Sequence, residues 1–319
     1  LRQCAAALVK VSCYHVTLPR ASLPVPTFRD MLIDTEDALI RADVFFGHGY
    51  DCAHDEAVAL VLTAADRSPT GTGAEILEVD YPEHARQRLD EFVSKRCVAR
   101  LPVAYITQVA WLGPLCFKSD ARALVPRSPV ASLIMSGLAP WYSGPSPEVI
   151  VDVCCGGGSL GMLAKTAYPA ALVVLSDLDG DALSLAQENR EDHPVDGVVQ
   201  ADLLSWCAGE SVDIILANPP YVDAEHMQDL PPEYLHEPGL ALDGGDDGLD
   251  LVSLLLWDAA RILKPEGLLV LEVGYSVAAL ETLSEDLVPL WVELEHGGEG
   301  VAIFMAQDLA QWAAKQGVS

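Results

Sequence analysis

No apolar run in the 319 residues reaches the length of a bilayer-spanning helix, so no membrane role is expected. The eight cysteines never form a Cys-x-x-Cys pair, and no Cys/His cluster has zinc spacing, so no metal site is expected. Cys154 and Cys155 are neighbours whose side chains point apart, which makes them poor disulfide partners. Residues 1–20 lack the uninterrupted apolar core of a signal peptide, because Lys10 and His15 break it. These absences together imply a reducing cytoplasm. Positive charge is also scarce: 19 Lys and Arg face 47 Asp and Glu, a net charge of -28. Such a surface repels phosphate backbones, so direct DNA binding is not expected. A basic protein would be attracted; adaptation to salty surroundings is the other reading of the same acidity. No G-x-x-x-x-G-K-[ST] occurs, which excludes a phosphate-cradling loop of that type.

What is present divides in two. The length suggests two domains, one of them large, with a hydrophobic fraction of 50% that is ample for a core. Residues 1–22 are expected to be a disordered extension. Residues 23–101 read as a small helical domain. Phe28, Met31, Leu32, Ala38, Leu39 and Ala42 recur at helical spacing. Further helices are expected over 56–65 and 84–98, with the glycines of 45–49 ending the first. Arg86, Arg88, Lys95 and Arg96 lie among acids on the third helix and read as a solvated face. Residues 102–126 read as a β-hairpin linker, with strands at 103–106 and 115–118 around Gly113-Pro114. A helix over 130–138 follows.

From residue 149 onward strands and helices alternate. Strands are expected at 149–153, 172–176, 197–201, 212–217 and 268–273, and helices at 159–167, 181–190 and 250–263. An antiparallel hairpin (290–295 and 301–306, joined at Gly297-Gly298) and a helix over 308–315 close the chain. The pattern predicts an α/β fold, a Rossmann-like doubly wound sheet with an antiparallel last strand, over 127–319.

Two stretches carry the chemistry. Val212-Asp-Ile-Ile-Leu-Ala-Asn-Pro-Pro-Tyr221 is a buried strand that stops at two prolines, which cannot continue a ladder. An amide, free carbonyls and a ring then share one strand end. Asn218 and the Pro219 carbonyl can each accept a hydrogen of a planar NH2 group, with Pro220 shaping the turn and Tyr221 packing on the face. The second stretch is Val151-Asp-Val-Cys-Cys-Gly-Gly-Gly-Ser-Leu-Gly161. Its glycines permit a tight strand-to-helix turn and close approach of a ligand, and Gly156, Gly158 and Gly161 satisfy the dinucleotide spacing. Asp177, ending the next strand, can hold the two hydroxyls of a ribose. Asp202 and Leu203, beyond the third strand, are placed to face an adenine. Asp152 would repel a pyrophosphate yet favour an ammonium group, which points to S-adenosylmethionine rather than NAD. Asp152, Gly156, Gly157, Gly158, Asp177, Asp202 and Leu203 are therefore expected cofactor residues.

With these motifs the chain resembles the class I S-adenosylmethionine-dependent methyltransferases, and among them the protein-glutamine methyltransferases with an Asn-Pro-Pro-Tyr motif. Further carrying segments are Gly47-His-Gly49, Leu124-Val-Pro-Arg-Ser-Pro129, Glu233-Tyr-Leu-His-Glu-Pro238, Leu271-Glu-Val-Gly274 and Gly297-Gly-Glu-Gly-Val301. Arg-Ser-Pro and His-Glu-Pro are similar to the branch acting on large-subunit ribosomal protein L-three rather than on release factors. Cys154-Cys155 stand where the release-factor branch has Gly-Thr. The resemblance implies methyl transfer to a glutamine amide nitrogen, a basic ribosomal protein met free or during ribosome assembly, and substrate recognition by the helical domain. It places Asn218, Pro219, Pro220 and Tyr221 at the amide, with Asn218, Pro219 and Tyr221 as the catalytic set. It also adds Cys154, Cys155 and Asn218 to the expected cofactor residues. Glu237 either orients the substrate loop or anchors a turn. Release-factor methylation and adenine methylation are the competing activities.

Overall fold

The computed structural model describes residues 25–69, 73–283, 286–294 and 300–316. The disordered extension expected at 1–22 and the Gly297-Gly298 turn lie outside the described residues. The first helix, α1 (Phe28–Ala42), begins with a reciprocal cap. Thr27 Oγ1 accepts from Asp30 N–H, and the Asp30 carboxylate accepts from Thr27 N–H, satisfying two donors that a helix start leaves orphaned. Phe28, Leu32, Thr35 and Leu39 form its buried stripe. The helix ends earlier than the glycines suggest. Asp43, left-handed at φ 49°, is its cap, and 45–49 is connecting chain.

Helices α2 (Ala53–Ala64) and α3 (Glu83–Cys97) pack on α1 around Leu39, Leu60 and Leu89. The solvated face expected of α3 is corrected at one position. Arg96 is 1% exposed and belongs to the interior. The expected strand at 103–106 is likewise helical: α4 (Val103–Thr107) follows directly on its cap residue, Pro102. The hairpin itself forms one step later, as β1 (Val109–Leu112) and β2 (Leu115–Lys118) around Gly113-Pro114. Helix α5 (Val130–Met135) is shorter than expected.

The alternating part follows the sequence closely. Its elements are β3 (Val149–Val153), α6 (Ser159–Ala167), β4 (Leu172–Asp177), α7 (Gly180–Arg190), β5 (Gly197–Gln200) and β6 (Val212–Ala217). A segment with one short helix, α8 (His226–Asp229), leads to α9 (Asp250–Ile262), β7 (Leu263–Glu272), α10 (Val277–Leu283), β8 (Leu290–Trp291), β9 (Val301–Met305) and α11 (Ala306–Lys315). The strands order as β5-β4-β3-β6-β7-β9-β8, with β5 to β7 parallel and β9 antiparallel to both neighbours. Every residue of β6 is buried, because helices cover both faces of a parallel sheet. Each such Ile or Leu contributes about 2 kcal/mol. Strand order reverses between β3 and β6, and ligands of open α/β sheets bind at the carboxyl ends beside that reversal.

Candidate active site

A cavity of about 930 Å³ opens at the carboxyl ends of β3, β4, β6 and β7. That volume lies within the range of small-ligand sites. One wall is the turn after β3. Gly158 is left-handed at φ 84° and starts α6. Asp152, 1% exposed, accepts from Gly161 N–H at 2.7 Å, tying strand to helix. Burial pushes its carboxyl up to about 7, against the opposing pull of the Gly161 N–H. Asp177 accepts from Gly156 N–H at 2.8 Å and Asp179 N–H at 2.9 Å; burial is again the largest cause of its raised pKa. Both Asp152 and Asp177 line the cavity, with Cys154, Cys155, Gly156, Gly157, Asp202 and Leu203. Gly158 is buried behind this wall and is not among the lining residues.

Cys154 adopts φ 55°, a left-handed conformation that glycine takes more readily. Burial pushes both adjacent thiols up, so neither is a thiolate nucleophile. Every cysteine among the described residues is free.

The opposite wall begins where β6 ends. Register pairs Ala217 with Leu271, so Asn218, just past the end of β6, stands beside Glu272, the last residue of β7, which pairs with Val301. Asn218, Pro220 and Tyr221 line the cavity; Pro219 is buried and does not. Among the described residues the Asn218 side chain has no hydrogen-bond partner, so its amide is available to a ligand. The Tyr221 hydroxyl donates to Glu272 Oε1 at 3.1 Å, and the Ser128 hydroxyl donates to Glu272 Oε2. Burial raises the Glu272 carboxyl despite both bonds. The Tyr221 ring rests on Gly274, where an added Cβ would stand 2.5 Å from Cε2; Gly274, at φ 46°, is also left-handed.

Glu237 does not line the cavity. It is 5% exposed and receives both Arg127 nitrogens, at 2.6 and 2.7 Å, and Val125 N–H at 2.9 Å. Burial alone would push Glu237 up, but Arg127 and the His48 ring at 3.3 Å outweigh it and hold the carboxyl at about 2. Of the two roles open to Glu237, the geometry fits an anchor: it fixes Arg127, which does line the cavity.

The segment 222–249 roofs this half and is tied to the helical part. Arg96 donates to Glu56 at 2.7 and 3.0 Å, to Glu233 at 3.0 Å and to the Phe45 carbonyl at 2.6 Å. Glu233 also accepts from Phe45 N–H, and His236 Nε2 donates to the Ala99 carbonyl at 2.7 Å. A buried arginine between two carboxylates joins the helices to the roof.

Several contributors escaped the reading of the motifs. Glu272, Arg127 and Ser128 stand inside quoted segments, yet their roles depend on distant partners. Asn189 on α7 had no signal at all. It donates to the Gly157 carbonyl at 3.1 Å and accepts from Lys118 N–H at 2.8 Å, bracing the glycine turn against the hairpin.

The lining charge is one-sided. Asp51, Asp152, Asp177, Asp179, Asp202, Asp229 and Glu272 face two arginines. Arg122 is occupied by Asp120 and Glu188, and Arg127 by Glu237. Such a cavity suits a cationic ligand and disfavours a pyrophosphate. No group of acids, histidines and cysteines among the described residues could hold a metal, and no helix among them is long and apolar enough to cross a membrane.

Residues 138–242 match the family described as methyltransferase small domain. The chain is 38% identical over 287 residues to a Bordetella pertussis protein named ribosomal protein uL3 glutamine methyltransferase, covering 89% of this chain and 96% of the relative. A Neisseria meningitidis protein of the same name is 36% identical over 300 residues, covering 92% and 97%. Another, from Xanthomonas campestris, is 39% identical over 281 residues, covering 86% and 90%.

Proposed function

The chain belongs to the family of ribosomal protein uL3 glutamine methyltransferases, and on that footing we propose that its substrate is the side-chain amide of a glutamine in uL3, methylated on nitrogen. The observation that carries this reading is the meeting of Asn218, Pro220 and Tyr221 with the glycine turn in one acid-lined cavity. S-adenosylmethionine, when bound, supplies a methyl group on a cationic sulfur. Asp177 would hold its ribose, Asp202 and Leu203 its adenine, and the turn at Cys154–Gly158, with the buried Asp152 behind it, its amino-acid end.

An amide nitrogen is a weak nucleophile, because its lone pair is shared with the carbonyl. None of the residues assigned here is a Cys, Lys or His acting as a base, so this chain works by positioning and electrostatics. Asn218 Oδ1 accepts one amide hydrogen, and a backbone carbonyl of the Pro219-Pro220 pair accepts the other. Both pull electron density toward nitrogen and fix its orientation. Tyr221, held by Glu272 and seated on Gly274, covers the amide face and excludes water. As the new N–CH3 bond forms, the donor's S–CH3 bond would break to leave a neutral thioether, and one amide hydrogen would be released to solvent as a proton. Glu237 acts through Arg127 as a positioning residue. The helical part supports recognition of a free, basic protein.

The test is mass spectrometry of purified uL3 and purified release factor after incubation with the enzyme and labelled S-adenosylmethionine. One added methyl on a uL3 glutamine is expected. Labelling of the release factor alone would overturn the substrate.

A further inference from the structure

Three large apolar side chains stand in water around the cavity mouth. Tyr275 is 81% exposed, Leu235 76% and Leu240 55%. Leu240 and Tyr275 line the cavity, and Leu235 follows Tyr234, which also lines it. The roof is held without these leucines, because the side chains of Glu233, His236 and Glu237 bond the backbone of Phe45, Ala99 and Val125. An exposed apolar group beside a binding cavity marks the seat of a partner.

The charge around it identifies the partner's chemistry. Between Arg190 and Arg261 the chain has no Lys or Arg. Glu225, Asp229, Asp243, Asp246 and Asp247 are exposed along the roof, and no cation within that stretch answers them. We propose that Leu235, Leu240 and Tyr275 form the docking surface for the residues flanking the target glutamine, and that this flank is apolar at its centre and rich in Lys or Arg around it. The inference rests on the proposed function and adds where the protein, as distinct from the amide, is gripped. The surface is preformed. His226 lies flat against Tyr275 with centroids 6.1 Å apart and planes 10° apart, and the roof beneath Leu235 is clamped through Arg96. Little ordering is left to oppose binding.

The experiment is steady-state methylation of purified uL3 by the full chain carrying Leu235→Ser, Leu240→Ser and Tyr275→Ala together. All three side chains are exposed, and melting by circular dichroism checks that the fold is kept. KM for uL3 should rise about tenfold, the scale of truncating interface anchors, with kcat within about twofold and calorimetric affinity for S-adenosylmethionine unchanged. Tyr275→Ala alone should give part of the same shift. For the unaltered chain, kcat/KM should fall several-fold from low to high salt as the acid-to-base attraction is screened. An unchanged KM overturns the apolar seat, and a flat salt response overturns the basic flank. If the unaltered chain leaves uL3 unmethylated, the proposed substrate falls and takes this occupant with it.

Discussion

The glycine-turn wall of the cavity is held by neighbours in sequence, whereas the wall facing it is held by distant partners. Asp152 reaches Gly161 across 9 positions, and Asp177 reaches Gly156 across 21. Arg127 reaches Glu237 across 110, Arg96 reaches Glu233 across 137, and Ser128 reaches Glu272 across 144. The first wall is built mostly from nearby residues, with Asn189 bracing it to the hairpin. The second exists only when the helical part, the linker and the roof have met. On the proposed function, cofactor binding falls to the locally built side and protein recognition to the assembled side.

The comparison breaks first at Arg96. Arg96→Met leaves Glu56 buried without its cation and Glu233 with only Arg100 at 3.4 Å, and the expected cost is about 3–5 kcal/mol, read by chemical denaturation. Cofactor affinity in the surviving folded protein should stay within several-fold. Loss of cofactor binding at conditions where the sheet remains folded would show that the two walls are not separate.

Asn218→Ala tests the boundary between them. Turnover should drop by roughly a hundredfold or more, about 3 kcal/mol for one lost transition-state hydrogen bond, while calorimetric affinity for the methyl donor changes only several-fold. Intact turnover would remove Asn218 from the chemistry.

Asp152 sharpens the comparison through pH. Its carboxyl is pushed up to about 7 by burial, so much of it carries a proton below that pH. A cationic ligand favours the ionised form, and binding therefore releases a proton. Affinity for S-adenosylmethionine should rise with pH by up to about tenfold per unit below 7 and level off above it. Asp152→Asn should flatten that slope in titrations between pH 5.5 and 8.5, a span of about three units around the shifted value. Binding that weakens as pH rises would contradict the sign.

The smallest effect is at Cys154. Its left-handed φ of 55° costs about 1 kcal/mol in a non-glycine residue, so Cys154→Gly should be neutral or slightly stabilising in thermal melts, with activity retained. Strong destabilisation would mean that the side chain packs more than the turn strains.

The same division explains what the sequence made legible. Strand β6 and helix α6 were read at their observed limits, because a continuous apolar run ending at two prolines and a glycine turn opening a helix are local signals. Residues 103–106 look like a strand because Val, Tyr and Ile favour strands in isolation, whereas packing against α2 and α3 decides for a helix. Arg96 among acids on an amphipathic helix looks like any surface arginine. Only its distant carboxylate partner reveals it as interior. Glu237 is visible within its motif, but its bond to Arg127, 110 positions away, is not.

The acid-lined cavity has one more consequence. On the proposed binding mode, a donor that enters with a positive sulfur and departs with a neutral one would be attracted by the acidic lining and would lose that attraction on reacting, so the wall that recruits the reagent would also help clear the by-product.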